Sequence, residues 1–187
     1  MRNILVLFLA ICLLSMSQES PDRQHYTLAF DVSPFAMNGY SIKASCIPAN
    51  RQKMEFHAEL FALNYPKLLI GQHPSNNPDE LKVEVNYAFA IYADRKLTAQ
   101  KNALYAGVGG VYLDERAIGL NATDNYNLIE FLARLHYKHY WPKSNFYFNP
   151  YLAFAYRSKM DTTGSAASGY TLVKFISLAS VYIGYEF

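Results

Sequence analysis

The sequence predicts an all-β chain closed into a single antiparallel, up-and-down barrel, and three features carry that prediction. After residue 17, apolar and polar residues alternate in segments of about ten, the period of a strand with two unlike faces. Clusters of Pro, Gly, Asn, Asp and Ser separate these segments, and no helical period of useful length intervenes. Aromatic residues are 16% and charged residues 17% of the 187, yet mean hydropathy is only -0.06. Alternating faces average to such a value, whereas helical membrane proteins show apolar runs of about 20 residues.

Residues 1–17 read as a processing segment ahead of one domain, 18–187. Arg2 precedes an apolar run from Ile4 to Leu14, and small residues follow at Ser15-Met16-Ser17. The run is short for a membrane helix and suits the central region of a signal peptide cleaved near Gln18. An uncleaved anchor is the competing reading. Cys12 lies within this segment, so the mature domain keeps Cys46 alone and forms no internal disulfide. Ile11 stands where a lipoprotein box requires a small residue.

Eight strands follow in order. His25–Ser33 sets Tyr26, Leu28, Phe30 and Val32 against His25, Thr27, Ala29 and Asp31. A break over Pro34 to Gly39 leads to Tyr40–Ile47, where Ser41, Lys43 and Ser45 oppose Tyr40, Ile42, Ala44 and Cys46. Past a turn over Pro48–Gln52, Lys53–Tyr65 puts Glu55, His57 and Glu59 opposite Met54, Phe56, Ala58 and Leu60. The Pro- and Asn-rich stretch Pro66–Asp79 reads as a long loop. Glu80–Ala93 then alternates most regularly, with Leu81, Val83, Val85, Tyr87, Phe89 and Ile91 facing away from Lys82, Glu84, Asn86, Ala88 and Ala90.

Charged residues from Asp94 to Lys101 mark the next turn, and Asn102–Leu113 the fifth strand. Its Gly107, Gly109 and Gly110 point to a sharp bend or a close backbone approach. Asp114–Asn125 reads as a polar loop. Asn127–Tyr140 sets Ile129, Phe131, Ala133, Leu135 and Tyr137 against Glu130, Arg134, His136 and Lys138, and Trp141–Asn145 turns the chain. Phe146–Lys159 carries Pro150 on its apolar face, which costs a ladder donor and calls for a bulge. After a loop over Met160–Gly169, the chain ends TLVKFISLASVYIGYEF, with Phe175, Ser177, Ala179, Val181, Ile183, Tyr185 and Phe187 on one face.

The strand ends are rich in aromatics: Tyr26, Tyr40, Tyr65, Tyr137, Tyr140, Trp141, Phe146, Tyr156, Tyr185 and Phe187. Two such girdles flank the apolar band of a barrel that crosses a membrane. With both termini on one side, the connections at Pro66–Asp79, Asp114–Asn125 and Met160–Gly169 share the other side. They are longer than the turns between them, as expected of outward loops and periplasmic turns. A soluble ligand-binding barrel of eight strands would turn the same apolar faces inward.

These features, with the terminal Tyr185-Glu186-Phe187, resemble the small eight-stranded outer-membrane β-barrel proteins of Gram-negative bacteria. The resemblance covers nearly all of the mature chain. It implies residence in the outer membrane, contact with membrane lipid and lipopolysaccharide, and insertion as a monomer. It also implies recognition of Tyr185 and Phe187 by the barrel assembly machinery.

An eight-stranded lumen is filled by its own side chains, so charges there are expected to pair. Glu55, His57 and Glu59 beside Lys82 and Glu84 suggest one network; Glu130, Arg134, His136 and Lys138 near Arg157 suggest a second. A structural plug is the plain reading of both, and an ion path or a protonation switch at His57 or His136 the functional one. A lipid hydrolase would need a serine beside a base. His136, His139 and Ser144 are the nearest candidates, but Ser144 falls in a turn. The five histidines are scattered, and His136 and His139 occupy opposite faces, so no metal site and no cofactor are expected. A net charge of +2 without a basic stripe gives no basis for nucleic-acid binding.

Overall fold

The computed structural model describes residues 24–51, 53–163 and 168–187, so the expected signal peptide at 1–17 lies outside the described residues. The chain forms eight strands: β1 His25–Asp31, β2 Tyr40–Ile47, β3 Met54–Asn64, β4 Lys82–Lys96, β5 Ala103–Ile118, β6 Thr123–Tyr140, β7 Phe146–Thr163 and β8 Phe175–Glu186. Each pairs antiparallel with its neighbours in chain order, and β8 returns to β1 to close the barrel. The start of β1, the end of β8 and the connections β2–β3, β4–β5 and β6–β7 share one end, here the turn end. The other, the loop end, carries 32–39, 65–81, 119–122 and 168–174. Two short helices lie there, α1 (Val32–Ala36) and α2 (Lys67–Ile70).

Burial follows the period of two. Along β6, Leu132, Arg134, His136, Lys138 and Tyr140 are buried, while Phe131, Leu135 and Tyr137 are 62%, 48% and 42% exposed. The same split puts Leu28, Phe30, Ile42, Leu152, Phe154, Phe175 and Ile183 outside. The lumen therefore holds the charges, and the outer wall carries the large apolar side chains. A soluble barrel of this size has the reverse arrangement. Aromatics ring the outer wall at the turn end, where Phe146 packs on Tyr185 and Tyr185 on Phe187 at 4.9 and 5.0 Å. Tyr65 and Tyr140, expected in the girdles, instead hydrogen-bond to Arg157 and Glu186 inside.

Several expectations are corrected. Simple alternation fails within β4, where Val85 pairs with Glu115 but Tyr87 pairs with Asp114, leaving Asn86 as an extra residue. This bulge swaps the faces: Val83 and Val85 point inward, 0% and 2% exposed, whereas Tyr87, Phe89 and Ile91 point outward. Lys82 and Glu84 are thereby turned outward, away from the lumen. The polar stretch 114–125 is no loop: β5 runs to Ile118, β6 starts at Thr123, and a tight turn joins them. Long loops thus alternate with short turns at three of the four loop-end connections. Pro150 needs no bulge, because the β6–β7 ladder lapses opposite it and resumes in unchanged register, His136 with Tyr151 and His139 with Phe148. The ladder's gap falls where proline has no donor to give.

The glycines of β5 serve close approach. Asp94 pairs with Gly107 and Tyr92 with Gly109 across β4 and β5. A methyl group on Gly107 would collide with the Asp94 carboxylate, and one on Gly109 with the Tyr92 ring. Gly110 has no such neighbour, since Glu130 O would stand 3.8 Å from the added carbon. Gly107→Ala is therefore expected to destabilise the refolded barrel by about 1–3 kcal/mol, and Gly110→Ala by much less, in urea titrations.

Candidate functional site

The lumen is the one place where chemistry-bearing side chains converge among the described residues. Its turn-end half is organised on Asp94, which none of the sequence patterns assigned to the interior. Asp94 is fully buried and lies opposite Gly107, whose missing side chain leaves room for the carboxylate. Arg134 donates to it from Nε at 3.0 Å and from an Nη at 2.6 Å. His136 Nε2 lies 2.8 Å from Asp94 Oδ2, and its Nδ1 lies 2.9 Å from Asn149 Oδ1. His57 Nε2 is 2.6 Å from the same Asp94 oxygen, off the direction of a straight hydrogen bond, so that contact is mainly electrostatic.

A second pair completes this layer. Lys138 Nζ reaches both Glu55 oxygens, at 2.7 and 2.8 Å. Glu59 accepts from Ser41 at 2.6 Å and from Tyr182 at 2.8 Å. Lys43, directly across from Glu59, sets its ammonium 3.3 Å from the centre of the Tyr182 ring. Asp31 accepts from Tyr151 at 2.8 Å, from Ser33 N at 3.0 Å and from Ser180.

The loop-end half is organised on Arg157, 1% exposed. It pairs with Glu130 at 2.8 Å and with Glu115, and donates to Tyr65 at 3.1 Å and Tyr170 at 3.4 Å. Above it two of the loop-end connections meet. Asn76 donates to the carbonyls of Ile70 and Thr171 and accepts from Thr171 N, stitching 65–81 to 168–174. Ile70, Leu81, Tyr126, Leu172 and Val173 pack beneath that stitch.

Of the interior network expected from the sequence, Glu55, His57, Glu59, Glu130, Arg134, His136, Lys138 and Arg157 are inside. Their pairing differs from expectation: Arg134, His136 and Lys138 reach Asp94 and Glu55, and only Glu130 reaches Arg157. Lys82 and Glu84 are a correction. They sit outside near the loop end, where Glu84 bridges Lys82 and Arg116. Asp94 and Glu115 were the missing partners. Each lies one or two residues past an assigned strand end, so extending Ala88-Ala90-Tyr92 and Val111-Leu113 by one step of the same period finds both.

The nearest candidates for a hydrolase, His136, His139 and Ser144, do not meet. His136 is in the lumen, His139 stacks on Tyr137 outside, and Ser144 accepts from Phe146 N within a turn. Ser45, His57 and Asp94 do form a row, with Ser45 Oγ 2.6 Å from His57 Nδ1. Ser45 is 3% exposed and is not among the residues that line the lumen cavity. That cavity, about 90 Å³, lies between the two charged halves, against Phe61, Leu63, Leu132 and Leu178. No cluster suited to a metal ion occurs among the described residues.

No family model and no curated protein matches the chain. Among solved structures it is similar to a crystal structure of a major outer membrane protein from Thermus thermophilus. The two share 10% identity and a TM-score of 0.55, over 88% of this chain and 100% of that one. At such identity the likeness concerns fold. A closed antiparallel sheet of eight strands, apolar outside and ion-paired within, gives this chain the fold of a small outer-membrane β-barrel.

Proposed function

We propose that the chain is a non-enzymatic, monomeric barrel of a Gram-negative outer membrane, with a plugged lumen, and that it works through its surfaces. The observation that carries this reading is the pairing inside the wall: the Asp94 and Arg157 clusters occupy the lumen, and apolar side chains cover the outside. Isolated buried charges would cost several kcal/mol each, and here the partners are in hydrogen-bonding reach. Such a lumen offers bulk solutes no path. A structural or adhesive role thus fits better than solute passage.

Membrane lipid and lipopolysaccharide would contact the outer wall, and the barrel assembly machinery would read the aromatic end at Tyr185 and Phe187. Phe187 is 68% exposed, available to such a partner. Recognition of anything outside the cell would fall to the loop end. There Leu68 and Leu120 stand 80% and 75% exposed.

Cell fractionation and planar-bilayer recording test the reading together. The expected result is recovery with the outer membrane and no steady conductance from the refolded protein. Recovery in the soluble periplasm, or a stable open channel, would contradict it. Lipid A from cells with and without the protein is expected to carry the same acyl chains.

A further inference from the structure

The barrel wall is not uniform. β1 pairs with β8 only from Thr27–Glu186 to Asp31–Tyr182. Past Asp31 the chain leaves the sheet as α1, while β8 continues to Phe175 along β7. Among the described residues no strand pairs with the free edge of 175–181. The neighbouring strand on the far side, β2, begins only at Tyr40, opposite Ala62. Between β8 and β3 near the loop end, the wall is therefore one helical turn.

That turn is fastened by few contacts. Asn64 N donates to Met37 O at 2.9 Å on the β3 side. On the β8 side Ser33 meets Ser180, which also donates to Asp31. Elsewhere neighbouring strands are joined by backbone ladders, with a lapse opposite Pro150 and no strand pairing on the β8 side of β7 beyond Tyr156 among the described residues. The seam between α1 and β8 is thus a place where no backbone ladder holds the wall.

The lumen cavity lies against this seam. It is lined by Ser33, Pro34 and Met37 of the α1 segment, by Leu178 and Ser180 of the free edge, and by Ala179. Ala179, whose side chain points outward with Ser177 and Val181, also lines it, so the cavity touches the wall of β8 itself at this seam. Its volume of about 90 Å³ equals roughly three water volumes, space for a few methylene groups. Its upper walls, Phe61, Leu63 and Leu178, are apolar. At its floor, Asp31 and Glu59 are already hydrogen-bonded to Tyr151, Ser180, Ser41 and Tyr182. Glu130 and Arg134, which also line it, are paired with Arg157 and Asp94, so the free space offers an occupant mainly van der Waals contact. Immediately outside, Phe30, Val32 and Phe35 are 45%, 44% and 54% exposed, continuous with the apolar outer wall.

We infer that the cavity takes the end of one acyl chain from a membrane lipid, entering sideways between α1 and β8. This rests on the membrane reading above. The lipid-facing surface supplies the chain, the ladder-free seam admits it, and the apolar pocket holds its last carbons.

Contact quenching by brominated acyl chains tests it in the full mature chain refolded into phosphatidylcholine vesicles. With Trp141→Phe as background, three single tryptophans are compared in brominated and unbrominated lipid. Phe154→Trp reports the outer wall, Phe61→Trp the cavity, and Tyr105→Trp a buried lumen position away from it. Quenching of Phe154→Trp and Phe61→Trp, with Tyr105→Trp unaffected, is expected. If Phe154→Trp is quenched and Phe61→Trp is not, or if Tyr105→Trp is quenched equally, no chain enters and the inference fails. If Phe154→Trp itself is unquenched, the membrane reading fails. Leu178→Trp reads the same cavity from the opposite wall should Phe61→Trp refold poorly.

Discussion

Asp94→Ala is expected to destabilise the barrel by about 3–5 kcal/mol, among the largest effects of any single truncation, because it removes one side of a buried ion cluster. The guanidinium of Arg134 would lose both hydrogen bonds to Asp94, at 3.0 and 2.6 Å. His57 and His136 would lose the same anion. Urea titration of the protein in vesicles, followed by Trp141 emission, reads the loss. The double variant Asp94→Ala/Arg134→Leu is expected to be less damaged than the sum of the singles, with a coupling of about 0.5–3 kcal/mol. A single-variant change within about 0.5 kcal/mol, the level of an ordinary surface substitution, would show that the cluster does not hold the lumen together.

Phe131→Arg carries the second large effect. Phe131 stands 62% exposed near the middle of β6, with Gly110 and Tyr156 beside it on the outer wall. In a bilayer an arginine there is expected to cost about 2–4 kcal/mol, against about 0–1 near an interface. Asn125→Arg, on the same face at the loop end, supplies that comparison. The vesicle unfolding titration measures both. Equal, near-zero effects would mean that water covers this wall along its length. A deep cost at Phe131 with none at Asn125 is what a hydrocarbon layer of limited thickness produces.

The alternation of small and large, charged and apolar residues made the sheet legible. Eight segments, their order and the outward face of β8 follow from a period of two, because each residue of a closed sheet has only two directions to point. Alternation cannot see an inserted residue. At Asn86 one extra position exchanged the two faces of β4, and Lys82 and Glu84 went out while Val83 and Val85 came in. Nor does it mark where a strand stops when polar residues line the lumen. Asp94 and Glu115 look like turn and loop residues because charge near a strand end suggests water. In this lumen the same charge is matched by Arg134 and Arg157.

The pairing of the network was beyond the sequence for a related reason. Lys138 and Glu55 are 83 residues apart and come from strands that are not neighbours in the sheet. They meet only because the sheet closes and brings β6 opposite β3 across the lumen. The helix α1 was hidden in a segment that alternates up to Val32 and then breaks at Pro34, and with it the seam beside β8.

Nitroxide accessibility along β6 tests the orientation of the wall most directly. Single cysteines at 129–137 in a Cys46→Ser background, labelled in vesicles, report collisions with oxygen and with a water-soluble nickel complex. Labels at Ile129, Phe131, Ala133, Leu135 and Tyr137 are expected to meet oxygen and exclude nickel, while those at Glu130, Leu132, Arg134 and His136 meet neither. Free access of the nickel complex to Phe131 and Leu135 would mean that water, not lipid, covers the apolar wall.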